Sequence, residues 1–206
     1  MNEKTGVTTD PRVWVRITED LREKLRAGVI VAGEQVSIAQ MCGRARVVDV
    51  QHLVGTTAEK SWPASPEVTV EELQRFEKRE GELKAGDILI LRSGHADRHF
   101  KPLPEGVACM ADPLNGKSEG WPAPGPEAIN YVAEKGIRCV ATDGPTLGGV
   151  DPKRSLMTYW ALGTRGMVGV EFLIDLGKLP KDAYFVFAPV KIRDCHGGPG
   201  RALAFF

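Results

Sequence analysis

The feature that most constrains this chain is an alternation of short strand-like runs with amphipathic stretches that stop at glycine. RARVVDV at 44–50 reads as a strand in which Val47, Val48 and Val50 bracket one acid, and ILILR at 88–92 has a buried-strand pattern. Between them, Thr69 and Glu72 have capping-box spacing and Val68 with Leu73 can form a hydrophobic staple. Val70, Leu73 and Phe76 then make one apolar edge of a helix that stops at Gly81. Pro126 suits a first helical turn, Ile129, Val132 and Ala133 share a side, and Gly136 ends that helix before IRCVATDG returns as a strand. Further signals are a helix over 155–165 interrupted by Gly163, a strand or strand-like turn at 168–174, a strong strand in AYFVFAPVKI and a terminal edge strand in ALAFF. Near the start, Thr18 can cap LREKLRAG, and VIVAG after it has strand character. This order predicts an α/β fold, with crossover directions left open.

A chain of 206 residues predicts a single domain, 1–206, able to bury its own core. Lys plus Arg and Asp plus Glu both number 27, so no global field favours nucleic acid or an anionic membrane. The longest plainly apolar run, Ala183 to Val190, has eight residues and contains a proline, far short of the roughly 20 a spanning helix needs. MNEKTGVTTD lacks the apolar segment of a signal peptide, and Cys42, Cys109, Cys139 and Cys195 form no CxxC pair. The expectation is a cytoplasmic protein with reduced cysteines and neither nucleic-acid nor membrane partners.

Chemistry-bearing residues are sparse. The four histidines show no HExxH or HxH spacing; His95 and His99, on either side of Asp97, can face one another across a helical turn just beyond a core strand, a plausible pocket rim. The stretch 101–126 is rich in proline and glycine but carries Trp121, which argues for an ordered functional loop. GGPGR and GPTLGG lack the spacing of phosphate-binding loops and read first as turns. Glu171 lies among apolar neighbours. If its side chain turns inward, desolvation makes it a proton-transfer group, and if outward it is an ordinary surface acid.

VVDV, GDILILRSG, GPEAINYVAEKGIRCVATDGPTLGG and APVKIRDCHGGPGRA, in that order, resemble the putative-cyclase family that includes bacterial kynurenine formamidases and isatin hydrolases. The resemblance implies a compact β/β/α architecture with a mixed sheet, a homodimer and, in ordinary members, a metal-dependent hydrolase. The family's metal motif, His-x-Gly-Thr-His-x-Asp followed by another His, is best matched by the segment from Lys4 to Trp14. Lys4, Thr8 and Trp14 then stand where histidines are expected, and Asp10 is retained. GTTAE at 55–59 fits less well. Farther on, Tyr159 or its neighbour Trp160 replaces another histidine, while Glu171 matches a retained acid. These substitutions imply no catalytic metal and no cofactor, unless another chain supplies ligands.

Because the match starts at residue 4, the strands that normally precede the motif are nearly missing, which suggests a partner protomer completing the site. The leading expectation is a metal-independent cyclase, dehydratase or isomerase acting on a small carbonyl-containing metabolite. Asp10, Glu171 and Tyr159 are its catalytic groups, and Lys4, Thr8, Trp14, His95 and Trp160 contact substrate, His95 from the outer rim. Family-like amide or lactone hydrolysis and a noncatalytic metabolite-binding protein are the alternatives.

Overall fold

The structure, a computed structural model, describes residues 38–206 apart from 181, 191 and 193–196. Lys4, Thr8, Asp10, Trp14, the helix and strand read between 18 and 33, Cys195 and His196 lie outside the described residues. A six-stranded mixed sheet organises the rest. In chain order its strands are β1 (Cys42–Asp49), β3 (Ile88–Arg92), β5 (Cys139–Thr142), β6 (Val168–Val170), β7 (Tyr184–Pro189) and β8 (Gly200–Phe205). The spatial order is β6-β5-β3-β1-β7-β8. The first four are mutually parallel neighbours, and β7 and β8 add antiparallel beyond β1. Two short strands, β2 (Glu67–Val68) and β4 (Ala123–Pro124), pair parallel in a separate small sheet. The α/β class and the mixed sheet expected from the sequence are both present.

The unbroken ILIL run follows from burial on both faces of β3. Leu89 and Leu91 join the cluster formed with Leu73 and Phe76 of α1 (Val70–Glu80) and with Ile129 and Val132 of α4 (Pro126–Glu134). Ile88 and Ile90 point the other way, into a second cluster with Ala141, Val170, Leu173 and Phe185. A strand covered on both sides loses the polar alternation of a half-exposed one. At roughly 25 cal/mol per Å² of apolar surface removed from water, such side chains are the main source of stability.

Helix boundaries refine the sequence reading. Thr69 occupies the N-cap of α1, but its side chain makes no capping bond, and Glu72 is drawn instead to His52 Nε2 at 3.1 Å and Arg75 at 2.9 Å. The far end of α1 is capped from the sheet. Buried Arg46 donates to the carbonyls of Glu80, Gly81 and Glu82, satisfying acceptors that a helix terminus leaves open. The following helices, α2 (His95–His99) and α3 (Ala111–Leu114), are short, and α3 lies within the proline-rich stretch. The last, α5, runs Pro152–Thr164, starting earlier than expected because Asp151 accepts the Arg154 amide at 2.7 Å and Pro152 occupies the first turn. Gly163 sits inside its final turn without breaking it. No helix among the described residues is long and apolar enough to cross a membrane.

Candidate active site

Parallel neighbours β3, β5 and β6 end on one edge of the sheet, where open α/β sheets commonly bind ligands. The segments leaving these strands carry the candidate functional groups: Ser93 to His95, Asp143 to Leu147, and Glu171 to Asp175.

Glu171 follows β6 directly. The strand stops at Val170 because Phe172 takes a left-handed conformation, φ 60°, which no regular strand contains. The turn half-buries Glu171, and one carboxylate oxygen, Oε1, accepts two hydrogen bonds, from the Tyr159 hydroxyl and from the Leu147 amide at 2.8 Å. The Leu147 amide is shared, lying also 3.1 Å from the Tyr159 oxygen. Burial, followed by the hydrogen bond to Glu171 and its charge, pushes the Tyr159 phenol above its ordinary value. At neutral pH Tyr159 therefore keeps its proton and donates. Its side chain is still 40% exposed, so the pair can be reached from solvent.

Trp160, the next residue of α5, is half-buried; successive helical residues project about 100° apart, so it does not share the face of Tyr159. His95 departs from the outer-rim position expected of it. It is buried in α2, where its ring packs 4.9 Å from His99 and 5.3 Å from Trp121, and Nε2 lies 2.8 Å from the carbonyl oxygen of Cys109. A carbonyl only accepts, so Nε2 carries the proton. Burial outweighs that hydrogen bond and, with His99 and Arg98 nearby, lowers its pKa to about 4. His95 is thus a neutral packing group of the loop wall.

Sequence reasoning noted Trp121 only as a sign of an ordered loop and Gly144 only as part of a turn, and it did not assign these or Asp143 to the site. Trp121 is fully buried and donates its indole N–H to the Thr146 carbonyl at 2.7 Å, which fixes the turn that presents the Leu147 amide. Gly144 permits this packing, since a Cβ there would sit 2.5 Å from the indole. Asp143, 1% exposed, accepts from the Ser93 amide at 3.0 Å, the Ser93 hydroxyl at 2.6 Å and the Gly94 amide at 2.5 Å, tying the ends of β3 and β5 together. Burial outweighs these donors and raises its pKa. The available signals were the Asp-Gly and Ser-Gly steps just beyond two core strands.

The putative cyclase family profile matches residues 3–148, more than half of the chain, and the chain belongs to that family. Tyr159 and Glu171 lie beyond the matched span. Among solved structures, the fold is similar to an isatin hydrolase bound to the product analogue thioisatinate, with 23% identity and TM-score 0.64, covering 83% of this chain and 62% of that one. It is also similar to isatin hydrolase A from Labrenzia aggregata bound to benzyl benzoate, with 22% identity and TM-score 0.62, covering 82% and 63%. A third similar structure is described as a potential metal-dependent hydrolase with cyclase activity, with 18% identity and TM-score 0.55, covering 84% and 70%. The chain thus spans under two thirds of the length of the isatin hydrolases it matches. A comparison with curated proteins gives no match. The family model makes the chain a cyclase-family member, and the solved structures show that it shares their fold.

One of these structures is described as a potential metal-dependent hydrolase, which makes the donors present in this chain relevant. Glu171 Oε1 accepts from a phenol and from a backbone amide, so one oxygen of this carboxylate is already engaged. Among the described residues no three His, Cys, Asp or Glu side chains gather in a way that could hold a metal. These described groups by themselves do not make up a metal shell, and the Lys4–Trp14 segment lies outside the described residues.

Proposed function

We propose that this protein is an acid–base enzyme that closes, dehydrates or isomerises a small carbonyl-containing metabolite through Tyr159 and Glu171. The observation that carries this reading is their direct hydrogen bond, with the Leu147 amide on the same carboxylate oxygen. A substrate carbonyl that displaces Glu171 as acceptor receives the Tyr159 proton, while Glu171 takes a proton from the attacking O–H or N–H or from the adjacent carbon. The two transfers are coupled. The negative charge of Glu171 helps to raise the phenol, so protonating the carboxylate makes the phenol a better acid as its proton is needed. The tyrosinate left behind recovers its proton from Glu171 along the same hydrogen bond, and the Leu147 amide steadies whichever oxygen is negative; in a dehydration Tyr159 protonates the hydroxyl as its C–O bond breaks and water leaves, while Glu171 takes the proton from the adjacent carbon or nitrogen.

Hydrolysis of a cyclic amide or lactone is the second reading. It is favoured by the similarity to two isatin hydrolases. In it Glu171 draws the proton from a water that adds to the carbonyl carbon while Tyr159 protonates the carbonyl oxygen; on collapse the tyrosinate takes that proton back, the ring C–N or C–O bond breaks, and the proton held by Glu171 passes to the leaving nitrogen or oxygen.

The test incubates chelator-treated protein with a panel of amino- and hydroxy-carbonyl compounds, cyclic amides and lactones, followed by mass spectrometry. Net loss of one water, or isomerisation at constant mass, supports the first reading. Gain of one water supports the second. Turnover that appears only when a divalent metal is returned overturns the metal-free mechanism. No turnover across the panel, with binding retained, leaves a metabolite-binding protein.

A further inference from the structure

A single peptide group stands between the buried indole of Trp121 and the acid–base pair. Its carbonyl, that of Thr146, accepts the indole N–H at 2.7 Å, and its N–H, that of Leu147, lies 2.8 Å from Glu171 Oε1 and 3.1 Å from the Tyr159 oxygen. The carbonyl and amide of one peptide are conjugated, so a donor on the oxygen draws electrons from the nitrogen and makes its N–H a stronger donor. The effect is greatest away from water, and both Trp121 and Leu147 are fully buried.

Both ends of this hydrogen-bond chain are held in place. The Gly120 amide donates to the Ala64 carbonyl at 2.8 Å and the Ala123 amide to the Pro66 carbonyl at 3.0 Å, fixing the backbone on either side of Trp121, while its ring packs on His95. At the other end, the Gly144 amide donates to Thr142 Oγ1 at 3.0 Å, and the Gly144 carbonyl accepts at 3.1 Å from the amide of Phe172, the residue after Glu171. The turn 144–147 therefore grips the Glu171 segment by its backbone as well as by its carboxylate. Donors fixed in this way need no rearrangement when charge moves between the Glu171 and Tyr159 oxygens.

We propose that Trp121 is a positioning residue of the acid–base pair, its indole N–H acting through the Thr146–Leu147 peptide to strengthen the donor that steadies the negative oxygen passed between Glu171 and Tyr159. Resting on the acid–base reading of that pair, this role adds a group that touches neither the substrate nor the reacting oxygens. One polarising partner strengthens a hydrogen bond by roughly 10–30%, and for a bond to a charged oxygen this stabilises the charged state about 1.3- to 5-fold.

The test varies the acidity of the indole N–H at nearly constant shape. Tryptophans carrying one and then two fluorines on the benzo ring, placed at position 121 by nonsense suppression, make that N–H progressively more acidic, and Trp121→Phe removes it. Backbone-amide NMR reads the outcome without a ligand. The Leu147 amide proton is expected to move downfield stepwise with indole acidity and upfield in Trp121→Phe. The Gly144 amide, beside the same ring but donating to Thr142, is expected to stay near its wild-type position in the fluorinated proteins. A Leu147 shift indifferent to indole acidity, or a Gly144 shift as large as that of Leu147, reduces Trp121 to packing and overturns the role. With a substrate in hand, Trp121→Phe should lower kcat about 1.3- to 5-fold with KM near the wild-type value, and an unchanged kcat or a loss confined to KM also overturns it. Glu171→Gln and Tyr159→Phe separate the two ideas. If turnover survives both while Leu147 follows the indole, the acid–base reading falls and the polarised peptide stands; if both abolish turnover while Leu147 ignores the indole, the reverse holds.

Discussion

Replacing Asp143 by alanine should be among the most damaging single changes near the candidate site. Its carboxylate is 1% exposed and satisfies the Ser93 hydroxyl and the backbone amides of Ser93 and Gly94. With the carboxylate gone, the Ser93 hydroxyl can rotate, but the two amides have nowhere to turn. An unsatisfied buried donor costs about 1–3 kcal/mol, so Asp143→Ala should lose about 2–6 kcal/mol, a large share of the roughly 5–15 kcal/mol that holds a domain together. Asp143→Asn keeps the shape and one acceptor oxygen and should lose about half as much. Urea denaturation at neutral pH measures both. The pH dependence adds a sign. Burial raises Asp143 above the ordinary carboxyl value, so the folded state holds this proton more tightly than the unfolded chain. Full stability from this group is present below the unfolded pKa and is lost as pH rises through the folded one. The wild type should therefore gain on Asp143→Asn as pH falls from neutral toward the ordinary carboxyl range. A loss under about 1 kcal/mol for Asp143→Ala, or a wild-type advantage that shrinks on acidification, would refute this reasoning.

Three further outcomes follow from the same structure. Asp87 binds Arg44 through 3.1 Å and 3.0 Å contacts and Arg46 at 3.2 Å; burial alone would raise its pKa, but these partners and the Lys84 amide hold it below the ordinary value. Its contribution is present above the unfolded carboxyl pKa and lost as pH falls through the folded one, so Asp87→Asn should cost about 3 kcal/mol at neutral pH, with the deficit narrowing in acid denaturation series. His95 should titrate with a midpoint near 4 in an NMR pH series, and an ordinary midpoint near 6.5 would contradict its buried, proton-donating placement. Trp121→Phe keeps most of the packing but loses the bond to Thr146, so urea melts should show a loss of about 1 kcal/mol.

Much of the architecture was legible because local chemistry and burial agree. ILILR is β3 residue for residue, and Pro126 and Gly136 bound α4 as their backbone preferences require. Disagreements arose where long-range contacts override local pattern. Glu72 has capping-box spacing but is claimed by His52 and Arg75, and VGVEFLI is cut short by the left-handed Phe172. The site was half legible. The resemblance singled out Tyr159 and Glu171, which the fold brings into direct contact from α5 and the end of β6. His95 was placed at a rim because nothing local announces that the proline-rich stretch folds back to bury it against Trp121. The Leu147 amide carries no side-chain signal, since a backbone donor is chosen by the turn that presents it.

The central claim is that Tyr159 and Glu171 move protons rather than only hold the turn in place. Its most direct test is turnover of an identified substrate by Glu171→Gln and Tyr159→Phe, with substrate affinity and urea stability measured alongside. Positioned proton transfer contributes about 10²–10⁴-fold, so each variant should lose about two orders of magnitude or more in kcat while binding stays near the wild-type value. Near-parental kcat in both variants would contradict the account.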